Sequence, residues 1–236
     1  MDYQQFNNIL RKYNIKEISE DTYLQFRHFY HYLIEENNKY NLTTITDEKD
    51  VYLKHFIDSL LSIKYLNNNS KILDIGCGAG FPSVPLAIYN ENFKITAIDS
   101  VNKKVNFVNN ACNRLKINNL SAIHTRIEDL AHKSEYRECF DIVVSRAVAP
   151  LNTLLEYAIP FLKVNGLFIA YKSLNTDEEI NQAKNALKQL NCSIFEKITL
   201  NFEEIESNRT FLIIKKEKTT NKIYPRIQNK PRKQPL

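Results

Sequence analysis

Three of the four glycines in this 236-residue chain lie within five residues, at Gly76, Gly78 and Gly80. They follow the apolar run 71–75, which is typical of a buried strand, and a helix is predicted to begin near Pro82. Glycine allows positive φ angles and lets the backbone approach a ligand closely. A strand, a glycine-rich turn and a helix in this order predict the nucleotide-cofactor entry of a Rossmann-like sheet.

The rest of the chain separates into a helical part and an alternating part. Apolar residues within 1–68 recur at helical spacing, and three asparagines at 67–69 interrupt that pattern. Beyond them, predicted strands and helices alternate, which requires a parallel sheet covered by helices on both faces. The strands are predicted at 71–75, 93–98, 120–124, 140–145 and 167–171, and the helices at 101–115, from Pro150, and from Thr176 with Glu179 in a capping box.

Two further strands, predicted at 192–200 and 209–216, are too close in sequence for a parallel crossover and should form an antiparallel hairpin. A mostly parallel sheet with such a terminal hairpin is the architecture of the class I S-adenosylmethionine-dependent methyltransferases. We therefore predict an α/β fold of this Rossmann-like class. Its organisation would be an N-terminal helical cap at 1–68, the cofactor-binding domain at 69–218 and a basic tail at 219–236.

Positive charge is concentrated at the C-terminus. Residues 215–236 include eight basic residues and one acid, whereas the remainder includes 24 basic and 26 acidic residues. Solubility and contact with a phosphate backbone explain such a tail equally well. The candidate RNA contacts are Arg226, Lys230, Arg232 and Lys233 in the tail, and Lys172 at the end of a strand, where a solvated surface charge is the alternative.

Several classes of protein are disfavoured by what the sequence lacks. It contains no run of 18 apolar residues, its first residues do not resemble a secretory signal, and its four cysteines form no Cys-x-x-Cys pair. We therefore expect a cytoplasmic protein, a monomer without a membrane or metal partner, whose thiols are free.

An acid beside the glycine turn distinguishes between two cofactor classes. The dinucleotide fingerprint requires glycine where this chain has Phe81. Asp74, two residues before Gly76, would repel a pyrophosphate but attract the sulfonium and ammonium groups of S-adenosylmethionine. At 4 Å and an effective dielectric constant near 20, that difference in sign is worth up to roughly 4 kcal/mol before screening. Asp99 is placed to bind the ribose hydroxyls of either cofactor. For both acids the alternative is an ordinary strand-end turn residue.

Most of the chain resembles the glucose-inhibited division protein B family, small-subunit rRNA methyltransferases that act on guanine N7. The segments that carry the resemblance are 40–43 (YNLT), 55–60 (HFIDSL), 74–85 (DIGCGAGFPSVP), 145–149 (SRAVA), 160–162 (PFL), 224–226 (YPR) and 233–236 (KQPL). Ser83 and Ser173 depart from the family pattern, which commonly has glycine at these positions.

The resemblance implies a set of cofactor contacts. Gly76 and Phe81 would line S-adenosylmethionine, Ile127 and Glu128 would hold its adenine, and Arg146 would lie at the junction of cofactor and substrate. With Asp74, Gly78 and Asp99, these residues make up the predicted cofactor-binding set.

Methylation at guanine N7 requires no general base, because the lone pair of N7 is free at neutral pH. Alignment of the reacting atoms can then supply on the order of 7–11 kcal/mol. The segment Ser145-Arg146-Ala147 lacks the Pro-Pro-aromatic element of exocyclic-amine methyltransferases and the Pro-Cys nucleophile of cytosine-C5 enzymes. A nearby carboxylate could stabilise the cationic ring. The catalytic candidates are Arg146, His55 and Asp58.

Each candidate also has a structural interpretation. His55, Asp58 and Ser59 lie on one helical face, and we favour a role in docking the helices. Arg146 could instead form an ion pair with Glu128. The aromatic residues Tyr23, Phe26 and Tyr30 are interpreted as core rather than as a base-stacking surface.

The sequence thus predicts a methyltransferase that acts on guanine N7 of 16S rRNA or of the small ribosomal subunit. Two alternatives stay open: an S-adenosylmethionine-binding RNA-binding protein without turnover, and a methyltransferase acting on a small molecule or a protein. A nicotinamide-dependent oxidoreductase is a more distant third.

Overall fold

The computed structural model describes residues 1–146, 148–172 and 176–236. Ala147 and Ser173, which the sequence analysis singled out, lie outside these ranges. The helices of the described ranges are α1 (Tyr3–Lys12), α2 (Glu20–Tyr40), α3 (Glu48–Val51), α4 (Asp58–Leu60), α5 (Ser83–Tyr89), α6 (Asn102–Leu115), α7 (Ile127–Ala131), α8 (Leu151–Ala158), α9 (Thr176–Gln182), α10 (Lys184–Gln189) and α11 (Lys230–Lys233). A π-helical segment, Tyr52–Ile57, joins α3 to α4.

Seven strands form one sheet in the order β3-β2-β1-β4-β5-β7-β6. They are β1 (Lys71–Ile75), β2 (Lys94–Asp99), β3 (Leu120–His124), β4 (Phe140–Arg146), β5 (Leu162–Lys172), β6 (Cys192–Phe202) and β7 (Ser207–Lys216). The pairs β2–β3, β1–β4 and β4–β5 are parallel, whereas β7 is antiparallel to β5 and β6. The predicted fold class, with its terminal antiparallel hairpin, is confirmed.

The chain divides into two compact units. Unit 1 consists of residues 1–69 and 77–124, and unit 2 consists of residues 70–76 and 125–236. The boundaries at 68 and 218 were drawn from changes in the pattern and charge of the sequence, and they stay a prediction.

Aromatic rings form the core of unit 1. Phe29 on α2 is fully buried, and its ring centroid lies 5.6 Å from that of Phe56 and 5.7 Å from that of Phe81. Phe6 on α1 meets Tyr52 edge-on at 6.0 Å. Edge-on and offset ring contacts of this kind add to the free energy gained by burial. The helices at 1–68 are therefore joined to the 77–124 part of unit 1 by apolar packing.

Two predictions for unit 1 are confirmed and one is wrong. Tyr23 and Phe26 are buried core residues, as expected, and the ring of the half-buried Tyr30 packs 6.0 Å from Tyr52. Val101, predicted as the first residue of the helix at 101–115, instead precedes α6 as its N-cap and is 37% exposed.

In unit 2, β5 begins at Leu162 rather than at the predicted position 167. The first residues of this strand include the exposed Lys163 and Val164, so no alternation of apolar and polar residues marks them as a strand. The carboxylate of Glu179, expected to cap α9, accepts hydrogen bonds at Oε2 from Leu151 N at 2.9 Å and Lys172 Nζ at 2.6 Å. These tertiary contacts of Glu179 were not predicted from the sequence.

The C-terminal tail is docked on unit 2 by polar contacts. Arg137 donates four hydrogen bonds to backbone carbonyls, of which those of Thr220, Asn221 and Tyr224 belong to the tail. The hydroxyl of Thr153 donates to the carbonyl of Pro231 in α11 at 3.0 Å. None of the described helices has the length and apolar character needed to cross a membrane.

Candidate active site

The glycine turn in unit 1 is fixed by backbone hydrogen bonds and one carboxylate. Cys77 N donates to Ile98 O at 3.0 Å, and Gly80 N donates to Cys77 O at 2.8 Å. Asp99, at the end of β2, accepts from Gly78 N through Oδ2 at 3.0 Å and from Val101 N through Oδ1 at 2.9 Å. Asp99 therefore ties the glycine turn to the segment that leads into α6.

The turn requires glycine for two different physical reasons. At Gly80, with φ of +84°, an added Cβ would lie 2.5 Å from Val84 Cγ2, so a side chain would clash with α5. At Gly78, with φ of +57°, an added Cβ would meet no heavy atom within 4 Å. The backbone of Gly78 therefore borders open space, which is what close approach of a ligand to the main chain requires.

His55 lies beside this turn, on the π-helical segment. Its Nε2 is 2.9 Å from Thr43 Oγ1, and its ring stacks on Phe81 with centroids 4.3 Å apart and an interplanar angle of 18°. The hydroxyl of Ser59 donates to the His55 carbonyl, and Asp58 is only 4% exposed. π-helical segments occur often at functional sites. The contact with Phe81 is compatible with both predicted roles of His55, which stay untested.

Thr43 is the residue of this group to which the sequence analysis gave no role. Its hydroxyl accepts from Ile45 N at 3.1 Å as well as contacting His55, and its own N–H donates to Asn37 Oδ1 at 2.8 Å. Thr43 lies in the segment YNLT, so the resemblance contained the signal that could have identified it.

In unit 2, β1 ends in the residues that precede the glycine turn in sequence. Asp74 on β1 is fully buried opposite Val144 of β4. Gly76, with φ of +72°, would place a Cβ 2.6 Å from Val148 Cγ2, so glycine is required there by packing. Ser145 Oγ donates to Ile75 O at 3.3 Å. A carboxylate without access to water favours a cationic ligand over an anionic one.

Three further predicted residues lie at the ends of parallel strands or just beyond them. Arg146 is the last residue of β4 and is half-buried. Ile127 and Glu128 begin α7 shortly after β3 and are also half-buried. Ligands in open α/β sheets bind at the carboxyl ends of parallel strands, so these positions suit the predicted roles.

Lys172 is not the solvated surface charge that the sequence offered as an alternative, and its role as an RNA contact stays a prediction. Its side chain is 9% exposed, and its Nζ donates to Glu179 Oε2 at 2.6 Å and to Ala149 O at 3.1 Å. Lys172 thus links Glu179 to the segment that follows β4. This ion pair was not predicted, because local capping rules give Glu179 a different partner.

The tail cations differ sharply from one another. Arg226 makes a bidentate ion pair with Glu156, Nε to Oε1 at 2.9 Å and Nη2 to Oε2 at 2.7 Å, and these bonds raise the pKa of Arg226. Glu156 is fully buried. In contrast, Lys230, Arg232 and Lys233 are exposed. Among the described residues, no group of three or more His, Cys, Asp or Glu side chains is placed to hold a metal ion.

Solved structures identify the class of fold. The geranyl diphosphate C-methyltransferase of Streptomyces coelicolor A3(2), determined with Mg²⁺, geranyl diphosphate and S-adenosyl-L-homocysteine, matches with a TM-score of 0.51 at 12% identity. The match covers 69% of this chain and 79% of that one. At such low identity the likeness concerns the fold alone, and the fold is that of the class I methyltransferases.

The sequence comparisons identify the family within this class. A family model described as rRNA small subunit methyltransferase G (GidB) matches residues 22–216. Curated relatives named Ribosomal RNA small subunit methyltransferase G, from Desulforamulus reducens and Lachnoclostridium phytofermentans, are 42% and 45% identical over 222 and 214 residues. These alignments cover 93% and 90% of this chain and 92% and 88% of the relatives. The chain belongs to the rRNA small subunit methyltransferase G family, and the resemblance noted in its motifs is confirmed.

Proposed function

We propose that this protein transfers the methyl group of S-adenosylmethionine to N7 of a guanine in small-subunit 16S rRNA. The observation that carries the cofactor assignment is the complete burial of Asp74 at the start of the glycine loop. A buried carboxylate stabilises a sulfonium or ammonium group and opposes a pyrophosphate. Family membership supports the methyl acceptor.

The residues present fit this cofactor. The open side of Gly78 admits a ligand against the backbone, and Asp74 would face the cationic part of the cofactor. Each oxygen of Asp99 accepts one backbone N–H and retains a lone pair for a ribose hydroxyl. Further contacts are proposed for Gly76, Phe81, Ile127, Glu128 and Arg146.

The bound cofactor supplies an electrophilic methyl group. Guanine N7 would accept that methyl group with its own lone pair, and the S–CH₃ bonding electrons would pass to sulfur, so the protein would have no proton to remove. The protein's part is to align the base and to stabilise the positive charge that develops on it. Arg146 would hold guanine O6 or a phosphate, and Asp58, with His55 beside it, would face the developing cation.

The cofactor assignment is tested by calorimetry with S-adenosylmethionine and with NADH. The Asp74→Asn variant should bind S-adenosylmethionine at least tenfold more weakly than the unaltered protein, a loss of about 1.4 kcal/mol. Glu135→Gln, which neutralises an exposed acid of unit 2, is the control and should bind normally. Equal affinity in Asp74→Asn, or tighter binding of NADH than of S-adenosylmethionine, would contradict the assignment.

The acceptor is tested by mass spectrometry of 16S rRNA from cells with and without the gene. We expect one 7-methylguanine that is lost with the gene and is not restored by Arg146→Ala. An RNA-binding protein without turnover would leave the rRNA mass unchanged. A small-molecule or protein methyltransferase would leave it unchanged as well, and would instead transfer the labelled methyl group to those fractions of an extract.

The exposed tail cations are tested separately by a variant in which Lys230, Arg232 and Lys233 are all glutamine. A deletion of 219–236 is unsuitable, because it would also remove Arg226 from the buried Glu156. If these cations bind RNA, the triple variant should bind rRNA more weakly and with a shallower salt dependence, at unchanged affinity for S-adenosylhomocysteine.

A further inference from the structure

One surface of unit 1 combines an exposed aromatic ring, an exposed apolar side chain and a lysine. Tyr40 and Lys103 are joined by a hydrogen bond, and Val101 is the N-cap of the helix that contains Lys103; we call these three residues the Tyr40 patch. Tyr40 is 42% exposed and Val101 is 37% exposed, whereas most large apolar residues of this unit are buried. Lys103 Nζ donates to the Tyr40 carbonyl at 3.3 Å, which places the end of α2 against the first turn of α6.

Short chain segments and hydrogen bonds link the Tyr40 patch to the candidate active site from both α2 and α6. Asn41 ends α2 with φ of 49° and leads to Thr43, whose hydroxyl contacts His55. On the α6 side, Val101 N donates to Asp99, the same carboxylate that accepts from Gly78 N in the glycine turn. A molecule bound at the turn would therefore lie close to Tyr40 and Lys103.

The charge balance of this surface favours an anionic partner. The described hydrogen bond of Lys103 goes to a neutral carbonyl, so its charge is not cancelled there. The acids nearby on α2, Glu35 and Glu36, are paired with Lys39 and Arg114. Both oxygens of Asp99 are engaged by backbone N–H groups.

We propose that the Tyr40 patch binds the single-stranded rRNA next to the target guanine, with a base stacked on Tyr40 and a phosphate paired with Lys103. This inference rests on the proposed function. Unpaired RNA bases are held by stacking on aromatic side chains, with lysines along the backbone. A single ring beside a lysine that is hydrogen-bonded to a neutral carbonyl suits a nucleotide, whereas a protein partner would require a wider apolar surface.

The inference is tested with Tyr40→Ala, Tyr40→Phe and Lys103→Met, using small ribosomal subunits and 16S rRNA as substrates. Phe195→Ala is the aromatic control, since Phe195 is 59% exposed on β6 of unit 2. Lys94→Met is the charge control, because Lys94 begins β2 whereas Lys103 follows the other end of that strand. The melting temperature of each variant confirms that it is folded.

Tyr40→Ala should raise KM for the rRNA substrate about tenfold, the loss expected for one stacked base, at unchanged affinity for S-adenosylhomocysteine. Tyr40→Phe should behave like the unaltered protein, because the ring is retained. Lys103→Met should reduce the slope of log affinity against log salt by about 0.7, the value for one phosphate contact on a single strand.

The inference is overturned if Tyr40→Ala matches Phe195→Ala in rRNA affinity, or if Tyr40→Phe loses as much as Tyr40→Ala. It is also overturned if the two lysine variants have the same salt dependence. Failure of the proposed function is distinguishable, because rRNA binding measured by filter retention does not depend on turnover. If the unaltered protein binds rRNA through Tyr40 but does not methylate it, the proposed function is wrong, whereas the proposed role of the Tyr40 patch stands.

Discussion

The two ends of the chain are attached to the rest of the protein by different forces. The N-terminal helices are held within unit 1 by aromatic rings, with Phe29 fully buried against Phe56 and Phe81. The C-terminal tail is held within unit 2 by charged side chains, chiefly Arg226 on the buried Glu156 and Arg137 on backbone carbonyls.

This difference determines how each attachment can fail. Apolar packing weakens in proportion to the surface and volume lost, and it depends little on pH or salt. A buried ion pair contributes little net stability when intact, yet the loss of one partner is costly because the other charge stays buried. The N-terminal helices should therefore tolerate conservative apolar substitutions, whereas the tail should tolerate only changes that remove both partners.

The largest effect is expected in the aromatic attachment. Phe29→Ala should lower the free energy of unfolding by about 3–5 kcal/mol, through lost burial and the cavity left among the neighbouring rings. Urea denaturation measures this value, and Phe195→Ala, which removes an exposed ring, should change it by less than about 0.5 kcal/mol. Similar losses in the two variants would show that the rings of unit 1 are not the attachment.

The next effect concerns the buried ion pair of the tail. Arg226→Met should cost about 3 kcal/mol, because Glu156 would remain as a buried carboxylate without its guanidinium. The double variant Glu156→Gln with Arg226→Met should recover most of that loss. A double variant that is as unstable as Arg226→Met would mean that specific geometry, and not the orphaned charge, accounts for the cost.

A smaller effect is expected at Arg137. Burial lowers the pKa of its guanidinium, and its two terminal nitrogens donate to four carbonyls at 2.8–3.1 Å. Lysine keeps the positive charge but lacks the planar guanidinium whose N–H groups reach these carbonyls. Arg137→Lys should therefore lower the free energy of unfolding by about 1–2 kcal/mol. Hydrogen exchange at the amides of 219–226 should rise in this variant. Unchanged exchange there would place the lost stability elsewhere.

The same contrast explains which features the sequence could predict. The glycine turn, β1 and the hairpin follow from local residue types and spacing, and all were found as expected. The helix predicted at 101–115 is present as α6, but it starts one residue later, so the side chain of Val101 is exposed. These features could be predicted because each depends on the backbone preferences of residues that are close together in the sequence.

The ion pairs could not be predicted in this way. Glu156 and Arg226 are 70 residues apart, and Lys172 pairs with a glutamate that local capping rules assign elsewhere. A partial signal was present in the sequence, since Glu156 interrupts an apolar helix between Leu155 and Tyr157. A charge in that position indicates a buried partner, but only the tertiary fold shows which one.

The smallest expected effect is a difference in acid sensitivity between the two attachments. Glu138 accepts from the buried Lys216 at 2.7 Å and from Thr220 N in the tail at 2.9 Å. Burial raises the pKa of Glu138, but these hydrogen bonds outweigh it and hold that pKa below its ordinary value. In the unfolded chain Glu138 therefore takes up its proton at a higher pH than in the folded protein. The stability that Glu138 contributes is present above its ordinary pKa and is lost as the pH falls.

Unfolding free energies from urea denaturation should fall as the pH drops below 4.5, the ordinary pKa of the glutamate carboxyl, and fall less steeply in Glu138→Gln. The comparison concerns the slope, because Glu138→Gln also leaves the buried Lys216 without its carboxylate at every pH. Glu135→Gln, an exposed acid of the same unit, should keep the steeper slope. The loss in Phe29→Ala should be the same at each pH, because the rings that Phe29 packs against, those of Phe56, Phe81 and Phe107, do not titrate. Equal slopes for Glu138→Gln and the unaltered protein would mean that the tail, like the N-terminal helices, is held without help from ionised groups.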